Sequence, residues 1–398
     1  MTCEVAVMNT LGIALAADSA VTLGEGQKIY LTAEKLFELA SPLPVAVMTY
    51  GGADLAGVPW ATIVAGYRKH LGDRRFDTLA DYLSDFVAFI EAATTMFPNA
   101  QQQESFADVA ARLWYGLYAR PWKEELDSQR TEALNGERPR DGDDPYGLLR
   151  RRIAENNSEW EQRRPLERVD PHFADSVIAD YDNALKERER AVFQTDKLPA
   201  DIRRSLRKSL RLLLSRLSGR FPGGSGLIIA GIGEAEHFPG LLHYYAGPVV
   251  KGRLRLQAWD SVQITPQDSA YVIPFAQRAT IDTIISGINP ELRDDLPGFV
   301  SDSLDEGERK ASENGILKRF RDRLDQEIRR RYDSPLVGAV DAMPRLDLAA
   351  MAEVLVSLTV FRSHASVEQE TVAGPIDVAL LSKGEGFVWI KRKQSAAA

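Results

Sequence analysis

Two short apolar runs separated by a turn open this chain, and they constrain its fold more than any later segment. The first run ends at Val7, the second covers residues 13–17, and Asn9-Thr10-Leu11-Gly12 lies between them. Apolar runs of this length joined by turn-forming residues predict a β-hairpin. Because a hairpin brings the end of its second strand beside the start of its first, we expect Asp18 to lie next to Thr2.

Thr2 is a candidate catalytic residue because of its position in the chain. A small residue after Met1 is the usual condition for removal of the initiator methionine, and here nothing but Met1 would have to leave. Its removal would leave a threonine with a free α-amino group, which titrates at about pH 8. Such an amine can serve as the base for the hydroxyl of its own residue. Taken alone, however, Thr2 is merely a common second residue.

Composition excludes several classes of protein. The chain has 398 residues, enough for one large domain or two ordinary ones, and is 44 % hydrophobic and 27 % charged. Its net charge of −8 gives no general attraction to nucleic acid or an anionic membrane. The single cysteine, Cys3, excludes an internal disulfide framework. With neither an apolar run of membrane length nor a secretory signal, we expect a cytoplasmic protein.

Segments that favour strands alternate with blocks that favour helices. Residues 45–50 predict a buried strand that ends at Gly51-Gly52, and helical spacing follows from near Asp54 to Leu71. Gly231-x-Gly233 lacks the third glycine of a dinucleotide-binding loop. The five histidines show no metal-binding spacing, so zinc hydrolysis is not expected.

This alternation predicts an α+β protein, an αββα four-layer sandwich interrupted by a large helical insertion. We assign residues 1–75, 222–290 and 346–398 to the sandwich. Residues 76–221 form the predicted helical insertion, and residues 291–345 a second, charged helical insertion.

An ordered set of short motifs resembles the β-type subunits of the proteasome. The motifs are Thr2, Ala16-Ala17-Asp18-Ser19, Thr22-Leu23-Gly24, Lys35-Leu36-Phe37 and Thr49-Tyr50-Gly51-Gly52. The chain is also similar to simpler bacterial relatives, namely the peptidase of the heat-shock two-component protease and the ancestral-β-subunit family. All of these are N-terminal-nucleophile hydrolases. The resemblance covers roughly residues 2–70, 225–290 and 346–392, and it implies the same sandwich fold.

The resemblance implies a role for each of four residues. Thr2 would supply the nucleophilic hydroxyl and the amine, and Asp18 and Lys35 would position and activate it. A buried lysine beside a hydroxyl stabilises the developing alkoxide, and a buried aspartate stabilises the lysine. Gly51 would donate its backbone N–H to the oxyanion. Lys28 is a rival for the lysine role, although Lys35 stands in the better register.

The chain departs from the family pattern in two places. The family carries a Gly-Ser-Gly loop at a strand–helix junction, where this chain has residues 275–280 without a serine. The second acid and serine of the family have no clear counterpart among Ser363, His364, Ser366, Glu368 and Thr371.

Three functions follow as alternatives. The first is a threonine peptidase that cleaves peptide or protein substrates through an acyl-enzyme, with no cofactor or metal. The resemblance implies a homo-oligomeric ring and an ATP-dependent unfoldase as partner. The second is a catalytically silent assembly or scaffold subunit, which the missing serine favours. The third is an amidase that acts on a small molecule.

Overall fold

A computed structural model describes residues 2–23, 28–30, 33–40, 42–134, 144–166, 168–217, 223–302, 315–365 and 372–393. The strands are β1 (Cys3–Asn9), β2 (Gly12–Ala17), β3 (Val21–Leu23), β4 (Lys28–Tyr30), β5 (Leu36–Ala40), β6 (Val45–Gly51), β7 (Asp54–Leu55), β8 (Val58–Pro59), β9 (Ser225–Gly231), β10 (Gly240–Val250), β11 (Arg253–Gln263), β12 (Ala270–Ala276), β13 (Asp377–Ser382) and β14 (Gly386–Lys391).

Helices cover much of the rest of the described chain. They are α1 (Trp60–Leu71), α2 (Leu79–Ala92), α3 (Asn99–Trp114), α4 (Arg120–Leu134), α5 (Gly147–Gln162), α6 (Pro171–Asp180), α7 (Asp182–Phe193), α8 (Ala200–Ser215), α9 (Ala279–Ser286), α10 (Pro290–Asp302), α11 (Ile316–Ile328), α12 (Ser334–Asp341) and α13 (Arg345–Ala365). Two π-helical turns, Tyr115–Ala119 and Arg329–Asp333, join α3 to α4 and α11 to α12. None of the described helices combines the length and apolar character needed to cross a membrane.

The predicted hairpin is confirmed. Strands β1 and β2 pair antiparallel, with Glu4 opposite Ala17 and Asn9 opposite Gly12. They lie inside a five-stranded antiparallel sheet of order β12-β1-β2-β13-β14. A second antiparallel sheet has the order β11-β10-β9-β6-β5. The chain is therefore a mixed α/β protein built on two antiparallel sheets.

Successive side chains of each strand point to opposite faces of the sheet and therefore pack in different hydrophobic clusters. Ala6 and Met8 of β1 share a buried cluster with Met48 and Ile228 of the second sheet. The intervening residues of β1 pack instead with α13. On the second sheet, Val47 and its neighbours pack with α1 and α2. Since both faces of these strands are covered, their sequences are apolar over most of their length and show no regular alternation with polar residues.

The helices from α3 to α8 pack mainly on one another, in a cluster of their own that also includes Tyr245 and Val250 of β10. One buried side chain ties this cluster to the second sheet. Arg255 on β11 donates from Nε to the carbonyl oxygen of Leu213 at 2.7 Å and from Nη2 to that of Arg216 at 2.9 Å. The predicted division of the chain into a sandwich and two insertions stays a prediction.

One predicted helix differs in detail. The helix expected from near Asp54 begins only at Trp60, because residues 54–59 form the short β7–β8 hairpin first. Within the predicted helical insertion, α6 and α7 meet at Tyr181. Parts of this insertion, such as residues 135–143, lie outside the described residues.

Candidate active site

The hairpin places Asp18 at the start of β1, as the sequence predicts. The backbone N–H of Asp18 donates to the carbonyl oxygen of Cys3 at 3.1 Å, and the N–H of Cys3 donates to Asp18 Oδ1 at 3.0 Å. The N–H groups of Ala20 and Ala373 donate to Oδ2 at 3.2 and 3.3 Å. These backbone donors hold the carboxylate in place at a position that is 1 % exposed.

Lys35 directs its ammonium group at this carboxylate. It directly precedes β5, its own carbonyl oxygen accepts from the N–H of Thr49 at 2.8 Å, and the residue is 4 % exposed. Lys35 Nζ lies 2.6 Å from Asp18 Oδ1 and 3.5 Å from Glu4 Oε1. The lysine therefore bridges two buried carboxyl groups.

Thr2 and Glu4 face the same side of the first sheet, because alternate residues of a strand share a face. Thr2 Oγ1 donates a hydrogen bond to Glu4 Oε2 at 3.3 Å, and both side chains are buried. Burial raises the pKa of Glu4 to about 8, and the charge of Lys35 only partly opposes this effect. Sequence reasoning missed Glu4. Its signal was a carboxylate inside an apolar strand, two residues from the candidate nucleophile.

A cavity of about 220 Å³ opens beside these groups. Its lining consists of Thr2, Ala33, Glu34, Lys35, Thr49, Tyr50, Gly51, Gly52, Ala53, Pro59 and Ala61. Three of the four residues predicted for the site, Thr2, Lys35 and Gly51, thus border one cavity. Asp18, the fourth, is not part of this lining and forms an ion pair with Lys35. Lys28, the rival lysine, lies in β4, and its side chain is outside the described part of the structure.

Gly51 ends β6 in a conformation that favours glycine. Its φ is +84°, and a Cβ added there would meet the carbonyl oxygen of Gly224 at 3.1 Å. The next residue, Gly52, donates its N–H to the same carbonyl at 3.3 Å. A Cβ on Gly52 would lie 2.8 Å from Ser225 Oγ. The positive φ of Gly51 and the close contact at Gly52 therefore favour glycine at both positions of this turn.

Ser225 is a second residue that sequence reasoning missed. Its hydroxyl donates to the carbonyl oxygen of Gly52 at 3.0 Å and accepts from Trp60 Nε1 at 3.0 Å. This bridge fixes the Gly51–Gly52 turn to the first residue of α1. No local pattern marks Ser225, because its partners are far away in the sequence.

The strand–helix junction at residues 275–280 lies beside Thr2. The N–H of Gln277 donates to the carbonyl oxygen of Thr2 at 3.0 Å, and Cys3 pairs with Ala276. This junction, in which residues 275–280 include no serine, is therefore close to the candidate nucleophile. Of the unassigned C-terminal residues, Ser363 and His364 lie at the end of α13, whereas Ser366, Glu368 and Thr371 are outside the described residues.

Cys3 points away from Thr2, as strand alternation predicts. It is fully buried in the cluster that includes α13. Burial raises the pKa of its thiol far above the ordinary value, so the thiol stays protonated. Cys3 is a core residue and no rival nucleophile.

Comparison with known proteins identifies similar structures but no family. No family model and no curated protein matches this chain. Among solved structures, the chain is similar to an Anbu Gly-1 mutant from Hyphomicrobium sp. strain MC1, with 10 % identity, a TM-score of 0.33 and coverage of 100 % of this chain and 89 % of that one. It is also similar to Anbu, the ancestral beta-subunit, from Yersinia bercovieri, with 12 % identity, a TM-score of 0.30 and coverage of 98 % and 87 %. A third similar chain belongs to the helical assembly of the Anbu complex from Pseudomonas aeruginosa, with 12 % identity, a TM-score of 0.32 and coverage of 100 % and 88 %.

Proposed function

We propose that this chain is an N-terminal-nucleophile threonine hydrolase with the four-layer αββα arrangement of proteasome β-type peptidases. The observation that carries the proposal is the cavity bordered by Thr2, Lys35 and Gly51, with Asp18 bound to Lys35. Amide cleavage through an acyl-enzyme needs an activated nucleophile and a donor to the oxyanion, and a hydroxyl beside a buried cation and a strand-end backbone N–H can supply these two functions.

Each group has a role that its position supports. Thr2 Oγ1 attacks the carbonyl carbon of an amide that enters the cavity. Lys35, which lines the same cavity, stabilises the developing negative charge in a buried site, where electrostatic interactions are strong. Asp18 holds Lys35 in place through the 2.6 Å contact between Oδ1 and Nζ. The backbone N–H of Gly51 is proposed as the oxyanion donor, and the amine freed by loss of Met1 is one acceptor for the hydroxyl proton.

Labelling tests this proposal directly. Intact-mass measurement should show a mature chain without Met1. A peptide epoxyketone, which reacts with the hydroxyl and amine of a terminal threonine, should add to the wild type and map to Thr2. The Thr2→Ala variant should not react. Retention of Met1 together with no labelling would contradict the proposal.

A silent scaffold subunit is the second candidate. The observation that favours it is the junction next to Thr2, where residues 275–280 include no serine. A folded wild type that loses Met1 but gives no adduct would support this reading. A small-molecule amidase would instead accept short amides and reject longer peptides in a substrate screen.

A homo-oligomer is also proposed, on the basis of an exposed apolar stripe along α13. Leu346, Val354, Leu358 and Phe361 recur at helical spacing and are 67, 54, 41 and 70 % exposed. A contiguous apolar face of this kind marks an interaction surface. Native mass spectrometry should show an oligomer, and Val354→Lys with Phe361→Ser should shift it toward the monomer. An unfoldase partner remains a proposal drawn from the family resemblance alone.

A further inference from the structure

The hydroxyl of Thr2 already has a hydrogen-bond acceptor in the described structure, and that acceptor is a carboxyl group. Thr2 Oγ1 lies 3.3 Å from Glu4 Oε2. The other oxygen, Glu4 Oε1, is buried without a hydrogen-bond partner among the described residues and lies 3.5 Å from Lys35 Nζ. Glu4 therefore contacts both the nucleophile and the cation of the proposed site.

The electrostatic surroundings suit a carboxylate that takes up a proton near neutral pH. Glu4 is fully buried, and desolvation raises its pKa to about 8. Two charged groups face it from other segments: Lys35 opposes the shift and Asp18 adds to it. General bases are most effective when their pKa lies near the working pH. The thiol of Cys3, on the opposite face of β1, stays protonated.

We propose that Glu4 is a catalytic residue, the general base that accepts the proton of Thr2 Oγ1. This inference rests on the proposed hydrolase function. As the bond between Oγ1 and the substrate carbonyl carbon forms, the hydroxyl proton moves to Glu4 Oε2. When the carbon–nitrogen bond breaks, Glu4 returns that proton to the leaving amine. Water then attacks the ester and passes its proton to Glu4, which gives it back to Oγ1 as the acid product leaves.

The rival base is the α-amine of Thr2, and the two differ in what a substitution at position 4 does. Glu4→Gln keeps the shape of the side chain but cannot take up a proton, whereas the amine is unaffected. If Glu4 is the base, Glu4→Gln should slow acylation by about 100-fold or more. If the amine alone is the base, the rate and its pH dependence should remain.

The test is the rate at which a peptide β-lactone acylates Thr2 between pH 6 and 9, read by intact mass and peptide mapping. A β-lactone needs only the hydroxyl and leaves the amine free. We expect the wild-type rate to rise through about pH 8. In Glu4→Gln the rate should be at least about 100-fold lower and should no longer rise over this range. Thr2→Ala gives the background.

The matched control is Glu189→Gln. Glu189 is a second buried carboxyl group, and it pairs with Arg203 and Arg207 in the cluster formed by α3 to α8. It should label at the wild-type rate. If Glu4→Gln does not melt cooperatively, Glu4→Met replaces it, because methionine places no polar group in the site. If either folded variant at position 4 is acylated at the wild-type rate with the wild-type pH dependence, Glu4 is not the base, and the proposed hydrolase function still stands. No labelling of the wild type at any pH would overturn the proposed hydrolase as well.

Discussion

Asp18 Oδ1 lies 2.6 Å from Lys35 Nζ, at a site where both side chains are at least 95 % buried. Backbone N–H groups from three separate positions hold Asp18, and the carbonyl of Lys35 is fixed to β6. The pair is therefore set by the fold, and Lys35 lines the same cavity as Thr2. Glu4 Oε1, at 3.5 Å from the ammonium group, adds a second buried carboxyl group beside it.

Removal of the cation should strongly destabilise the protein. In Lys35→Met, Asp18 and Glu4 would share a buried site without a positive charge. Breaking a buried ion pair by removing one partner costs about 3–5 kcal/mol. We expect a loss of that order in the free energy of unfolding at pH 7, measured by urea denaturation.

Lys391→Met is the matched control for Lys35→Met. Lys391 pairs with Glu353, but the two side chains are 50 and 33 % exposed. Exposed pairs contribute less than about 1 kcal/mol. Equal losses in the free energy of unfolding in the two variants would show that the Asp18–Lys35 contact does not contribute the predicted stabilisation.

The stability of the wild type should fall as the pH rises from 5 to 8, relative to Glu4→Gln. The pKa of Glu4 is raised from 4.5 to about 8 in the folded chain. Between these values the folded state holds a proton that the unfolded state has lost, so this contribution is complete below pH 4.5 and lost as the pH rises through about 8. The slope is at most about 1.4 kcal/mol per pH unit.

Urea midpoints of the wild type and Glu4→Gln at pH 5, 6.5 and 8 measure this effect. Other titrating groups are common to both proteins, so the difference between them isolates Glu4. A difference that stays constant over the range would mean that Glu4 titrates at its ordinary value in the folded chain.

The sequence predicts those parts of the site that depend on local pattern. The hairpin, the position of Asp18 beside β1 and the orientation of Cys3 away from Thr2 all follow from strand length and alternation. Thr2, Lys35 and Gly51 came from the ordered motifs of the family resemblance, and the structure places them around one cavity. Their catalytic roles stay predictions.

What the sequence did not reveal depends on contacts between remote segments. Ser225 joins Gly52 to Trp60 across more than 160 residues, and no spacing rule reports such a contact. Glu4 is evident in β1, but its significance depends on Lys35, which directly precedes β5. The β7–β8 hairpin ahead of α1 cannot be predicted from the sequence, because the segment 54–59 is too short to show a hydrophobic period.

Substitution of Gly51 should weaken both stability and acylation. Gly51→Ala forces an alanine into a left-handed conformation, at about 1–2 kcal/mol, and pushes its Cβ toward the carbonyl oxygen of Gly224. A shift of the turn would misplace the proposed oxyanion donor, which can cost about 100-fold in rate. Thermal unfolding and labelling at Thr2 measure the two effects.

Gly116→Ala provides the comparison for Gly51→Ala. Gly116 lies in the first π-helical turn, and a Cβ added there meets no atom within 4 Å. Alanine should be tolerated or mildly stabilising there, since it favours helical structure more than glycine does. If Gly51→Ala labels as fast as Gly116→Ala, the Gly51 N–H is not the oxyanion donor.

Loss of the Ser225 hydroxyl should loosen the turn without touching the nucleophile. In Ser225→Ala the carbonyl of Gly52 loses its donor and the indole N–H of Trp60 loses its acceptor. The indole of Trp60 is buried, and an unsatisfied buried group costs about 1–3 kcal/mol. Trp60→Phe removes only the indole donor and leaves the bond from Ser225 to Gly52. If this bond positions Gly51, Ser225→Ala should slow labelling of Thr2 several-fold more than Trp60→Phe does, at a temperature where both variants are folded. Equal labelling rates would limit Ser225 to a purely structural part in the packing of α1.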